Sequence, residues 1–187
     1  MELKRKLLEN SAYRIFTEKL LDYMMIRAGL ALPEGVALGH CLLCDEVEWM
    51  RNIAADKDPA QVAATLKQGC FEMGDILVNT RRLRERREFS FFSLSMNQLI
   101  LLSMNTLHEL AHFWHAEHSD QFYAVMSKTG VIIDYETPRN LEGYLDEIGM
   151  EDELIGNAAE MLVDTYNEIE LSGMCRFMML NNFLFRV

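Results

Sequence analysis

The chain has 187 residues, half of them hydrophobic, with 29 acidic against 18 basic side chains and a formal net charge of −11. That length suits one domain with a buried core, and the apolar content excludes a disordered chain. The acidic excess argues against nonspecific binding of the whole chain to nucleic acid or to an anionic membrane surface.

The first residues, Met1-Glu-Leu-Lys-Arg-Lys-Leu-Leu-Glu-Asn10, have no continuous apolar stretch of a leader. They begin an amphipathic helix, predicted from about Leu3 to Ala28 and ending near Gly29. Leu32-Pro-Glu-Gly35 predicts a turn, His40 to Ala55 a second helix, and Asp58-Pro59 the cap and first position of a third, reaching about Arg87. Glu88 to Leu94 breaks the helical pattern. With Gln98 to Leu102 it either forms a short hairpin across Ser95-Met-Asn97, or the second run begins the next helix. A helix from about Met104 to Ala116 follows, then Ser119 caps a short helix through Met126. Gly130 to Tyr135 predicts a strand, Thr137-Pro138 a turn, and the last helices cover about Glu151 to Glu170 and Gly173 to Phe185.

The fold class is therefore mainly α: a single helical domain over residues 1–187, with a small two- or three-strand β element placed near 88–102 and 130–135. No apolar run approaches the length of a membrane span. Cys41, Cys44, Cys70 and Cys175, without a secretory signal, point to reduced thiols and a cytoplasmic protein. Cys41-x-x-Cys44 lacks a second pair to complete a metal site, and lone thiols usually pack as small hydrophobes.

Four of the five histidines fall between positions 108 and 118. His108-Glu109-Leu110-Ala111-His112 is an H-E-x-x-H. On a helix, residues four apart lie almost above one another, so His108 and His112 can turn two imidazoles toward one metal ion. Neutral imidazole suits Zn²⁺, and two such nitrogens leave room for a third protein ligand and a water. Glu109, one step round the helix, is placed to act as general base on that water. The blander reading of a histidine on an apolar helix face is a satisfied core residue. His115 would stand about 10 Å further along a continuous helix, too far to share the ion. His118 could curl back if the helix ends near Ala116. Downstream, Glu160 could be the third ligand, and Asp164, one turn later, could orient a ligating imidazole. For these two acids the alternative is a solvated helix face.

These residues resemble the zincin metallopeptidases, over roughly residues 95 to 165. His108-Glu109-x-x-His112 followed by Glu160-x-x-x-Asp164 looks like the gluzincin pattern, in which the later Glu is a ligand and the Asp supports the site. Locally, residues 108–123 are also similar to SprT-like zincins, which would make His118 the third ligand. The resemblance implies Zn²⁺, a peptide or protein substrate, and a substrate-binding strand upstream of the motif helix. Phe89 to Leu102 is the candidate for that strand, and Tyr144 and Tyr166 are the candidates to stabilise an oxyanion.

A second constellation belongs to another class. Asp45-Glu-Val-Glu48 and Glu72-Met-Gly-Asp75 carry acids three apart, which share a helix face. On two antiparallel helices they would form an oxygen-rich site for Mg²⁺ bridging a substrate's phosphates. The pattern resembles the all-α nucleoside triphosphate pyrophosphatases (MazG-like) over about residues 10 to 86, with Asp45 where that family has Glu. The Arg81-Arg82-Leu-Arg84-Glu-Arg86-Arg87 run would then meet the triphosphate, or would simply be a solvated helix end. A third expectation is a noncatalytic helical interaction protein, with the apolar tail from Cys175 to Val187 closing its own core or joining copies into a homo-oligomer. The histidine pattern is harder to reach by chance, so a zinc peptidase is the first expectation and the pyrophosphatase the second.

Overall fold

A computed structural model describes residues 2–53, 61–68, 73–84, 89–133 and 148–171. Over these residues the chain is mainly α with two small sheets. Helix α1 (Glu2–Ala28) carries Leu8, Ala12, Tyr13, Phe16, Leu20 and Met24 at three- to four-residue spacing, and all are buried. Its apolar stripe packs against strand β1 (Ala37–Cys44) and helices α3 (Met96–Ala111), α4 (Asp120–Lys128) and α5 (Asp152–Leu171). Gly29 ends α1 with φ 67°, a left-handed conformation that costs glycine little. The turn before β1 closes at Gly35, as the Pro-Glu-Gly sequence implies.

The first sheet has the order β1-β3-β2, with β3 (Met73–Asn79) central, parallel to β1 and antiparallel to β2 (Ala63–Gln68). The second sheet is the antiparallel pair β4 (Val131–Ile133) and β5 (Ile148–Met150). One face of the first sheet joins the main core through Cys41, Ile76 and Val78. The other face holds a smaller cluster of Cys44, Ala64 and Leu77 under Trp49 of the short helix α2 (Glu46–Asn52).

Two helices expected from the sequence are corrected here. Residues 40–44 belong to β1, and the expected third helix is replaced over its described residues by β2, β3 and a turn after Asn79. Ile76, Leu77 and Val78 are each at most 1% exposed. A short run buried on both faces has no alternation, so its periodicity cannot separate a strand from a helix. The β element placed near 88–102 is also corrected: Phe91–Ser93 is a 3-10 turn, and Gln98 to Leu102 lies in α3. Ser95 and Gln98 form a capping box that starts α3, which settles the hairpin alternative. The β4 strand, the Ser119 cap and α5 lie where the sequence placed them. The expected elements at Asp58-Pro59, Thr137-Pro138 and 173–185 lie outside the described residues. Among the described residues, no helix is long and apolar enough to cross a membrane.

Candidate metal centre

Helix α3 runs through the interior: every residue from Leu102 to Leu107 is buried, with β2 and β3 on one side and α1, α4 and α5 on others. It ends at Ala111, five residues earlier than expected. Trp114 and His115 both donate backbone N–H bonds to Ala111, which winds the chain tightly past the helix end. Phe113 packs so closely on β3 that a Cβ at Gly74 would stand 2.4 Å from its ring. The Trp114 indole N–H donates to the Ala31 carbonyl at 2.8 Å, fixing the loop's other side.

This early ending turns His118 back toward the helix. Ligand atoms of His108, His112 and His118 all lie within 4.8 Å of one another. His108 Nε2 and His118 Nε2 are 3.1 Å apart. Two nitrogens bound tetrahedrally at zinc distances stand about 3.3 Å apart, so this spacing fits a shared ion. The three ring centroids are separated by 5.0, 4.9 and 5.0 Å. Phe122, fully buried, lies 5.0, 4.8 and 5.0 Å from the same three rings and closes one side of the cluster.

Local rules position each part. Ser119 accepts the N–H of Phe122 and so caps α4, which sets Phe122 beside the triad. His118 precedes that cap and packs on Tyr123, the pairing of a staple across a helix start. His112 Nδ1 lies 3.0 Å from the His115 carbonyl. A carbonyl can only accept, so the proton sits on Nδ1 and the lone pair on Nε2. That is the tautomer a metal takes, held by the kind of backbone bond that orients ligating histidines. The carbonyl end of α3 also favours a cation. The donor set therefore fits a borderline ion such as Zn²⁺, with His115 contributing its backbone and not its ring.

Glu109 is 6% exposed, and its Oε2 lies 2.7 Å from the Thr65 hydroxyl of β2. Glu160 and Asp164 stand at exposed positions of α5 and are not among the ligands brought together. The Tyr166 hydroxyl donates to the Phe91 carbonyl, and burial pushes its pKa up to about 12, so it is already spent. Tyr144 lies outside the described residues.

The carboxylates of the second constellation are placed differently. Asp45 is the N-cap of α2, accepting from Glu48 N at 2.9 Å while Glu48 accepts from Asp45 N at 3.1 Å. Lys6 pairs with both. Asp75 lies on β3, not on a helix, and is 4% exposed. Its Oδ1 accepts from His40 N at 2.7 Å and holds the bulge that interrupts β1 between Leu38 and Cys41. Glu72 lies outside the described residues, as do Arg86 and Arg87. Arg81 pairs with Glu46 in the turn after β3. Among the described residues Asp75 lies on a strand, so the two antiparallel helices that would gather these acids are not formed.

Cys41 and Cys44 belong to clusters on opposite sheet faces, so their spacing cannot serve one ion or one disulfide. Burial pushes their thiols up to about 12 and about 11. Cys70 and Cys175 lie outside the described residues.

Reading the sequence missed Thr65 and Phe122. Phe122 carried a signal, since it stands three residues after the Ser119 cap. A third histidine six residues after an H-E-x-x-H is itself a known zinc-site spacing, which favours His118 over Glu160. No local signal ties Thr65 to Glu109 across 44 positions. Compared with family models, with curated proteins and with solved structures, the chain has no match in any of the three.

Proposed function

We propose that this chain is a zinc-dependent peptidase in which His108, His112 and His118 hold the ion and Glu109 is the general base. The observation that carries this reading is the convergence of the three imidazoles within 4.8 Å at the end of a buried helix. Bound zinc would supply Lewis acidity and a water acidified toward neutral pH. The protein's own part is to fix the imidazole tautomers, shield one side with Phe122 and hold the Glu109 carboxylate in place. The resemblance to zincins implies a substrate strand upstream of the motif helix, and β2 suits that role better than Phe89 to Leu102. Among the described residues it is an edge strand of the first sheet, it packs on α3, and an extended peptide could add to it through backbone hydrogen bonds. Peptide or protein substrate and a cytoplasmic setting belong to the same proposal.

Metal content by mass spectrometry tests it, on protein purified without chelator or tag-derived metal, wild type beside His112→Ala. We expect about one zinc per chain in the wild type and none in the variant. Glu109→Gln should keep its zinc and lose peptide hydrolysis by about 100- to 10,000-fold, the range of general-base catalysis. A folded wild type that takes up no zinc would overturn the reading.

A further inference from the structure

The Thr65 hydroxyl has two acceptors within reach, both belonging to Glu109. Its Oγ1 lies 2.9 Å from the Glu109 backbone carbonyl and 2.7 Å from the carboxylate Oε2. That carbonyl is in the last turn of α3, and the Phe113 N–H bonds the Leu110 carbonyl. A hydroxyl carries one proton, so it serves one acceptor at a time and exchanges them by rotating about Cβ–Oγ.

We infer that Thr65 is a positioning residue for Glu109: its hydroxyl, carried on β2, holds the Glu109 carboxylate and the last turn of α3 in one place. With Glu109 ionised, the hydroxyl donates to Oε2 in a charge-assisted bond. This inference rests on the peptidase reading and adds to it a residue that no motif contains.

Thr65→Val keeps the shape of the side chain and removes the hydroxyl, while Thr65→Ser restores it. With zinc content and thermal midpoint measured alongside, Thr65→Val should lose about 10- to 100-fold in kcat, the worth of a hydrogen bond to a charged group, with KM within about threefold. Thr65→Ser should recover most of that loss. In a Glu109→Gln background Thr65→Val should cost nothing further, because its effect passes through Glu109. A zinc-loaded, peptide-cleaving wild type beside an equally active Thr65→Val, or a loss that Thr65→Ser fails to recover, overturns this inference alone. So does a full further loss in the Glu109→Gln background. A wild type without zinc or peptide hydrolysis overturns the peptidase reading and this inference with it.

Discussion

The three imidazoles at the end of α3 face one another across about 5 Å, whereas Asp45, Glu48 and Asp75 each face a backbone N–H. Both groups consist of metal-ligating residue types. What separates them is where their hydrogen-bonding capacity goes. A carboxylate that caps a helix or pins a bulge has one oxygen committed to folding. His112, by contrast, turns Nδ1 to the His115 carbonyl while its ring also joins the cluster with His108 and His118. Candidate ligands are therefore better judged by what remains after the backbone has been satisfied than by spacing alone.

That contrast can be broken experimentally. The largest effect should come from the third ligand: His118→Ala is expected to weaken zinc binding by at least about 100-fold, whereas Glu160→Ala should leave it unchanged. A competition titration against a chelator of known affinity reads both, and the reverse ranking would restore the gluzincin arrangement. Asp75→Ala should act on stability and not on metal. It removes the acceptor of the part-buried His40 N–H bond and should cost about 1–3 kcal/mol, read as a lower urea midpoint with zinc retained. The smallest effect should be at Asp45→Ala, about 1 kcal/mol for the loss of an N-cap, with Mg²⁺ giving no compensating stabilisation in the wild type. If Mg²⁺ raised the melting temperature of the wild type and not of Asp45→Ala, the carboxylates would regain their claim.

The parts of this fold that could be read from the sequence are those with local signals. The α1 stripe, the glycine that ends it, the Pro-Glu-Gly turn and the Ser119 cap each depend on residues within one or two turns. Residues 40–79 resisted because β3 is buried on both faces and because Asp45 and Glu48 carry two meanings. The same D-x-x-E spacing describes a metal-binding helix face and a capping box, and here the cap won. At the site, His108 and His112 follow from the helix period. His118 depends on where α3 stops, and Phe113, packed against Gly74, and Trp114, bonded to Ala31, help hold the loop there through distant partners. Thr65 depends on the pairing of β2 with β3 and on the packing of β2 against α3, which no local pattern encodes.

The two buried thiols of β1 have a use in measurement. With pKa values pushed up to about 12 and about 11, neither Cys41 nor Cys44 offers much thiolate at pH 8, and both side chains are shielded from reagents. An alkylating agent can therefore reach each of them only as fast as its surroundings open. Cys41 reports the α1 face of the sheet and Cys44 the α2 face. Peptide-resolved labelling over time would give an opening rate for each layer in the unmodified chain, and a slower rate at Cys41 would place the more persistent layer against α1.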